Sequence, residues 1–331
     1  MKLPPEIAVL GFLNAALAVI CSLGLGAPAA QAWGCKGHQT VALIAEKHLT
    51  PEAKQMVQTL LSGNPIDPAL KRYCGDASRD AMADASTWPD DIRGQAKNGP
   101  LHYIDIPRGA KRAPLREFCG KDGCVTQAIE DDRAILQDKN ASAGKRAEAL
   151  RYLIHFVGDL HQPLHAATNN DQGGNCVPVK YFRRKVREHD HSYTPNLHSL
   201  WDTAIPERDM EGADPAEYAE TLEEIFAPQI EGWQKAGIQV EDWAWESHKY
   251  AEKITYGELT PQITIEPLVA VHGCADDNKI GERLLSEHIA VAAAYQEKAA
   301  PVVEERIAQA GIRLAMILNQ AAATSAAKAT P

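Results

Sequence analysis

The stretch Tyr152-Leu153-Ile154-His155-Phe156-Val157-Gly158-Asp159-Leu160-His161-Gln162-Pro163-Leu164-His165 carries the strongest signal in the chain. It lies at the end of a helix expected over Ala143 to Leu160. There His155 and Asp159 stand four residues apart and share one face. Pro163 ends the helix and turns His165 elsewhere. The same four-residue spacing recurs in Asn196-Leu197-His198-Ser199-Leu200-Trp201-Asp202. A single such pair is usually an ordinary hydrogen-bonded contact. Two pairs plus His165 within 48 residues predict a metal site, because zinc favours imidazole and carboxylate ligands.

Working outward, the chain reads as all-α. Apolar spacing in Val41, Ile44, Ala45 and Leu49 predicts a first helix with His38 at its start. Thr50-Pro51-Glu52 supplies a cap, a first-turn proline and an early acid for a second helix that stops at Gly63. Further helices are expected over Asp76 to Asp91, Val125 to Gln137 and Pro215 to Trp233. A pair from Gly281 to Ala299 and from Val302 to Leu318 is expected to be divided by Pro301. Strand character is brief, around Leu101 to Ile106 and Val177 to Phe182, and fits a short β-hairpin insert. With no repeat or linker, a single compact helical domain over 33–320 is expected, followed by a frayed alanine-rich tail over 321–331.

The 331 residues include 34 basic and 44 acidic side chains, a net charge of −10, which argues against holding duplex DNA through a basic surface. It leaves open a nucleic acid held through bound metal. Lys2, the apolar run from Ile7 to Leu25 and Ala30-Gln31-Ala32 read as a signal peptide over 1–32, with the mature chain starting at Trp33. The expected location is therefore secreted or periplasmic, with no stable membrane association afterwards. Cys21 leaves with the leader, so six cysteines remain for an oxidising compartment, where disulfides are favoured over zinc thiolates. Cys119 and Cys124 flank a Gly-containing loop and form the first expected pair. Cys35, Cys74, Cys176 and Cys274 allow three connectivities.

The flanking motifs make the reading specific. Trp33-Gly34-Cys35-Lys36-Gly37-His38, then Trp88-Pro89-Asp90-Asp91-Ile92-Arg93, then Leu101-His102-Tyr103-Ile104-Asp105 precede the two His–Asp pairs in that order. From Trp33 to about Asp202 the chain resembles the secreted trinuclear-zinc nucleases, the S-one/P-one type of single-strand-specific nuclease. Weaker similarity surrounds Trp243-Ala244-Trp245-Glu246-Ser247. The resemblance implies three Zn2+ ions. One would be held by Asp90, His102, His155 and Asp159. A second would share Asp159 and add His38 with the α-amino nitrogen and carbonyl oxygen of Trp33. The third would take His165, His198 and Asp202. Removal of the leader would then build part of the site, because a chain-terminal amine binds metal once deprotonated and an internal amide nitrogen is a poor ligand.

Such a centre implies hydroxide made available near neutral pH for in-line attack on phosphorus. The resemblance further implies 5′-phosphate products from single-stranded RNA and DNA, with 3′-nucleotidase activity. Asp90, Arg93 and Asp159 are the catalytic candidates, with Arg93 placed to stabilise transition-state charge. Tyr103 matches the position of a base-stacking ring (the family often has Phe there), and Asp105 that of an acid on the base edge. Gly173-Gly174-Asn175 resembles the loop beside that base site, with Asn175 a substrate-binding candidate; a plain tight turn competes with that role. No obligate protein partner is evident.

Other features stand apart from the site. His161 is expected to face away from Asp159, as a supporting or exposed residue. His48, His189, His191, His248, His272 and His288 match no motif. Arg183, Arg184, Lys185 and Arg187 form a basic run between His165 and His198, a solvated face that could also guide a strand. Asn140-Ala141-Ser142 is a sequon. The family's longer-range disulfide has no evident counterpart. Two other functions compete: a secreted zinc phospholipase C, disfavoured by Asp202 where Glu would be expected, and a non-catalytic zinc-binding protein.

Overall fold

The computed structural model describes residues 33–75, 80–189, 192–259, 263–266, 274 and 289–327. The leader over 1–32 lies outside them. The first helix, α1 (Gly34–Lys47), is followed by α2 (Pro51–Gly63), where the Thr50 hydroxyl accepts the Ala53 N–H at 3.2 Å and Pro51 occupies the first turn. The expected helix over Asp76 to Asp91 is instead two short ones among the described residues, α3 (Ala81–Ala85) and α4 (Trp88–Asp91). Their separation at Ser86 and Thr87 matters, because the Ser86 carbonyl is thereby released to accept from a histidine of the site. Next come α5 (Arg93–Ala96), α6 (Val125–Gln137) and α7 (Ala143–His161), the last capped by Ser142 on the Lys145 N–H.

From Leu153 to His161 every residue of α7 is buried, as expected of a helix with partners on all sides. Those partners are α1, α2, α3, α4, α6 and, later in the chain, α11 (Val240–Tyr250) and α12 (Ala293–Ala327). Between them lie α8 (Leu197–Ser199), α9 (Ile205–Asp209) and α10 (Pro215–Lys235), which carries the Asp214/Glu217 capping box. Each fully buried Leu or Phe on α7 contributes about 1.5–3 kcal/mol of hydrophobic stabilisation, an upper estimate against a compact unfolded chain. The helix that presents the chemistry is thus held from every side.

Two expectations about the last helix fail. α12 continues through Pro301 instead of breaking there. Its buried stripe, Ala299, Val303 and Ile307, packs against the core on both sides of the proline, so tertiary burial outweighs the missing N–H. The helix also runs beyond 320, with Ala321 and Ala322 buried, so these residues are core and not tail. Close approach of α1 and α12 depends on Gly311, where a Cβ would fall 2.5 Å from Ile44 Cγ2.

Strand content is small. β1 (Lys180–Tyr181), within the stretch expected to be a strand, pairs in parallel with β4 (Ala290–Val291), while the hairpin of β2 (Arg187–His189) and β3 (Ser192–Thr194) lies outside both stretches where strand was expected. The stretch Leu101 to Ile106 is not a strand: Gly99–His102 is a 3-10 turn, and the chain then runs extended. Its backbone bonds go to the segment after α7, through Ile104 N–H to the His165 carbonyl and Thr168 N–H to the Ile106 carbonyl. Disulfides join Cys35–Cys74, Cys119–Cys124 and Cys176–Cys274. The first and third settle the open connectivity, and the third spans 98 residues, so a long-range bridge is present after all. Among the described residues no helix is long and apolar enough to cross a membrane.

Candidate metal centre

Four elements deliver the first cluster. α7 carries His155 and Asp159, the 3-10 turn delivers His102, and α4 delivers Asp90. α1 brings His38, whose ring stacks on His155 with centroids 4.1 Å apart. Gly158 permits that approach, because a Cβ there would lie 2.9 Å from His38 Nδ1. The oxygens of Asp159 sit among three imidazoles: Oδ1 is 3.2 Å from His38 Nε2, and Oδ2 is 2.9 Å from His102 Nδ1 and 3.2 Å from His155 Nε2. Neither oxygen has a hydrogen bond of acceptable alignment. The atoms converge on common points instead of pairing with one another.

The second cluster joins His165, just past α7, to His198 on α8 and Asp202. Asp202 lies in a π-helical turn, Leu200–Ala204, a feature common at functional sites. His198 Nε2 is 3.4 Å from Asp202 Oδ2. Grouped by distance alone, His38 with Asp90 and His155, His102 with His155 and Asp159, and His165 with His198 and Asp202 could each hold a metal ion.

Carbonyl partners decide which imidazole nitrogen carries the proton. A carbonyl can only accept, so His155 Nδ1 donates to Ser86 O (2.6 Å), His165 Nδ1 to His102 O (2.7 Å) and His198 Nδ1 to Gly173 O (2.6 Å). In the neutral rings every Nε2 then carries a lone pair. His165 Nε2 and His198 Nε2 nonetheless face each other at 3.1 Å. Two lone pairs at that distance repel unless a cation lies between them, and ligand atoms of a tetrahedral zinc site stand about 3.3 Å apart. These carbonyls are the outer-shell contacts that orient metal-bound histidines.

Charge leads to the same conclusion. Burial holds His102 and His165 down to about 3 and His198 down to about 4, so these rings stay neutral. Burial also opposes charge on His155, but the carboxylates of Asp159 and Asp90 overcome it and raise that group to about 9. Asp90 is pushed up to about 6 by burial, and Asp202 well above the usual carboxylate range for the same reason. Carboxylates pushed upward in this way belong to a site short of positive charge. The pH dependence of metal binding follows. Binding at pH 7 should release the proton of His155, and below about pH 6 a further proton from Asp90, so affinity should fall more steeply there. Calorimetric titration of zinc into the chelated protein in buffers of different ionisation enthalpy reads that release; heats independent of buffer at pH 7 would contradict it.

Gln162 is a residue the sequence reading overlooked. Its Oε1 accepts the Leu164 N–H, which leaves Nε2 to donate to Asp202 Oδ1 at 2.6 Å. Asp202 Oδ2 is thereby left without a hydrogen bond and open to a ligand. Gln162→Ala is expected to weaken the His165/His198/Asp202 position by about 10- to 100-fold and to spare the other cluster. Competition with a zinc-binding dye resolves the two, and equal weakening everywhere would mean general collapse. Gly173, in the loop that resembles the one beside a base, orients His198 through its carbonyl. Its φ of 58° and a Cβ that would fall 2.7 Å from Leu164 O explain why glycine stands there.

The remaining candidates separate. Arg93 begins α5 with Nη1 3.9 Å from Asp90 Oδ1, and its charge is felt by His102, His165, His198 and Asp202 alike. Trp33 is 1% exposed, and its indole N–H donates to Gly158 O at 2.8 Å, beside His38. Tyr103 and Asp105 line a common pocket; Asn175 is not part of it, and its amide donates to Gln172 O. His161 is fully buried and not exposed, donating from Nδ1 to Val157 O while Nε2 accepts from Arg313 on α12. His248 is also buried, and His48 pairs with Glu223. Arg183, Arg184, Lys185 and Arg187 are solvent-exposed ahead of and within β2. The side chain of His189, and His191, His272 and His288 altogether, lie outside the described residues.

Comparison with known proteins agrees with this geometry. Residues 33–323 match the family described as S1/P1 Nuclease. The chain belongs to the S1/P1 nuclease family. The nuclease is 30% identical to Endonuclease 4 of Arabidopsis thaliana, over 87% of this chain and 88% of that protein. It is 28% identical to Nuclease P1 of Penicillium citrinum, over 89% of this chain and 100% of the relative. With Nuclease S1 of Aspergillus oryzae it shares 28% identity over 87% of this chain and 91% of the relative. The nuclease is therefore a hydrolase, and its His/Asp groups could hold metal ions.

Proposed function

We propose that this nuclease is a secreted, zinc-dependent endonuclease that cleaves single-stranded RNA and DNA to 5′-phosphate products and acts as a 3′-nucleotidase. The observation that carries the reading is the pair of proton-free nitrogens of His165 and His198 facing each other at 3.1 Å beside the open oxygen of Asp202. Three Zn2+ ions account for the donor set: Asp90, His102, His155 and Asp159 for one, Asp159, His38 and the terminal amine and carbonyl of Trp33 for a second, and His165, His198 and Asp202 for a third. When bound, zinc supplies Lewis acidity toward phosphoryl oxygens and makes hydroxide available near neutral pH. Three divalent ions also offset about six of the ten net negative charges, which reconciles an acidic protein with a phosphodiester substrate.

The chain's own groups do the rest. Arg93 directs its guanidinium to the non-bridging oxygens of the scissile phosphate, where its N–H groups donate to the charge that builds in the transition state. Asp90 and Asp159 hold their positions through α4 and α7, so little reorganisation accompanies the reaction. Tyr103, 36% exposed, offers its face to an unpaired base, and Asp105 accepts from the base edge. A paired base presents no free face, hence the preference for single strands. Export is supported by the leader-like segment over 1–32 and by three disulfides.

Incubation with single-stranded DNA, duplex DNA, RNA and phosphatidylcholine tests the proposal. Single strands and RNA should be cut, chelation should abolish cutting, and added zinc should restore it. Hydrolysis of the lipid without the nucleic acids would overturn it.

A further inference from the structure

One cavity lies in the segment that follows His102 and contains none of the candidate metal ligands. It has a volume of about 170 Å³ and its lining includes Tyr103, Phe118, Asp105, Lys121 and Asp122. That is roughly six water volumes, enough for one flat heteroaromatic ring and little more. The lining includes a turn, Gly120-Lys121-Asp122-Gly123, with Lys121 and Asp122 at its centre and both exposed. The turn closes through Gly123 N–H to Gly120 O at 3.1 Å and through the Cys119–Cys124 disulfide. Gly123 has φ 97°, and a Cβ there would strike Leu101 Cδ2 at 2.8 Å. Val125 N–H donates to Tyr103 O at 3.0 Å and ties the turn to the residue that carries the ring. The turn that carries a carboxylate and an ammonium therefore lines the same pocket as Tyr103.

The two charges differ in what they recognise. A carboxylate accepts two parallel N–H bonds, and an ammonium donates to a carbonyl oxygen. Guanine presents two adjacent donors, its ring N–H and exocyclic amine, next to a carbonyl. Adenine has one amine and no carbonyl, uracil has a single N–H between two carbonyls, and cytosine has one amine with no adjacent ring N–H. We propose that the Cys119–Cys124 turn makes this pocket a guanine-selecting site, with Asp122 accepting from the two N–H donors, Lys121 donating to the carbonyl and Tyr103 stacking on the ring. Phosphorus chemistry happens elsewhere, so the turn sets which nucleotide is presented, not how fast an average one reacts.

This inference rests on the nuclease reading for its substrate class, so two readouts are needed. The first is binding of the four free ribonucleosides to the zinc-loaded protein, followed by NMR. The second is kcat/KM on the four nucleoside 3′-phosphates. Guanosine should bind most tightly, and its 3′-phosphate should be favoured by about tenfold or more, the discrimination of a well-formed bidentate contact. Lys121→Ala and Asp122→Ala should each bring the guanine-to-cytosine ratio toward unity, a ratio to which partial misfolding is indifferent. Equal binding of all four nucleosides, or a ratio that survives both substitutions, overturns the assignment. Selective guanosine binding without turnover of any 3′-phosphate keeps the pocket and overturns the 3′-nucleotidase reading instead.

Discussion

Substituting alanine for Asp159 should remove two metal ions together and lower kcat/KM by at least about a thousandfold. The carboxylate is fully buried on α7, with His38 beyond one oxygen and His102 and His155 beyond the other. Asp90 stands farther off, 3.8 Å from His102 and 3.7 Å from His155, whereas Asp159 comes within 3.2 Å of all three rings; Asp202 serves a separate cluster. Asp202→Ala should therefore remove one ion where Asp159→Ala removes two. Metal analysis of the two purified variants, with circular dichroism to confirm retained helix, reads the difference directly. Loss of a single ion from the Asp159 variant would show that its carboxylate does not bridge.

An almost equally large effect is expected from the chain end. A protein that retains Ala32 ahead of Trp33 should lack one ion and lose at least about a hundredfold in activity. The residue preceding Trp33 converts an amine into an amide, whose nitrogen has no lone pair to offer. The surroundings of Trp33 support a placed terminus: the indole is anchored on Gly158 O, and the same glycine faces the His38 ring. Trp33→Phe in a correctly processed chain is the informative control, because it keeps the amine and gives up the indole anchor. It should retain all three ions at reduced affinity. A full set of ions and unchanged turnover in the extended protein would remove the amine from the centre.

Much of this centre was legible in the residues themselves. Four-residue spacing puts His155 with Asp159 and His198 with Asp202 on common faces whatever surrounds them, because helical periodicity is local. Thr50 marks the start of α2 for the same reason. Pro301 was misread by that local logic: a proline weakens the helix it occupies, yet packing of Ala299, Val303 and Ile307 carries α12 across it. Of the two alternatives for His161, supporting or exposed, the second fails, since facing away from Asp159 means facing Arg313 and not water.

The sequence alone determined the helical class, the His155/Asp159 and His198/Asp202 pairs and the Cys119–Cys124 bridge, each of which depends on spacing over a few residues; Trp33, His38, Asp90 and His102 became ligand candidates through the family resemblance. Tertiary structure alone decided the pairing of Cys35 with Cys74 and Cys176 with Cys274, the roles of Ser86 and Gly173 carbonyls as imidazole partners, the grip of Gln162 on Asp202, and the placing of Lys121 and Asp122 against Tyr103. Carbonyls are present in every residue, so no pattern of side chains marks the ones that matter. Which of them meets a histidine is set by how α1, α4 and α8 close on α7, a consequence of packing over long sequence separations.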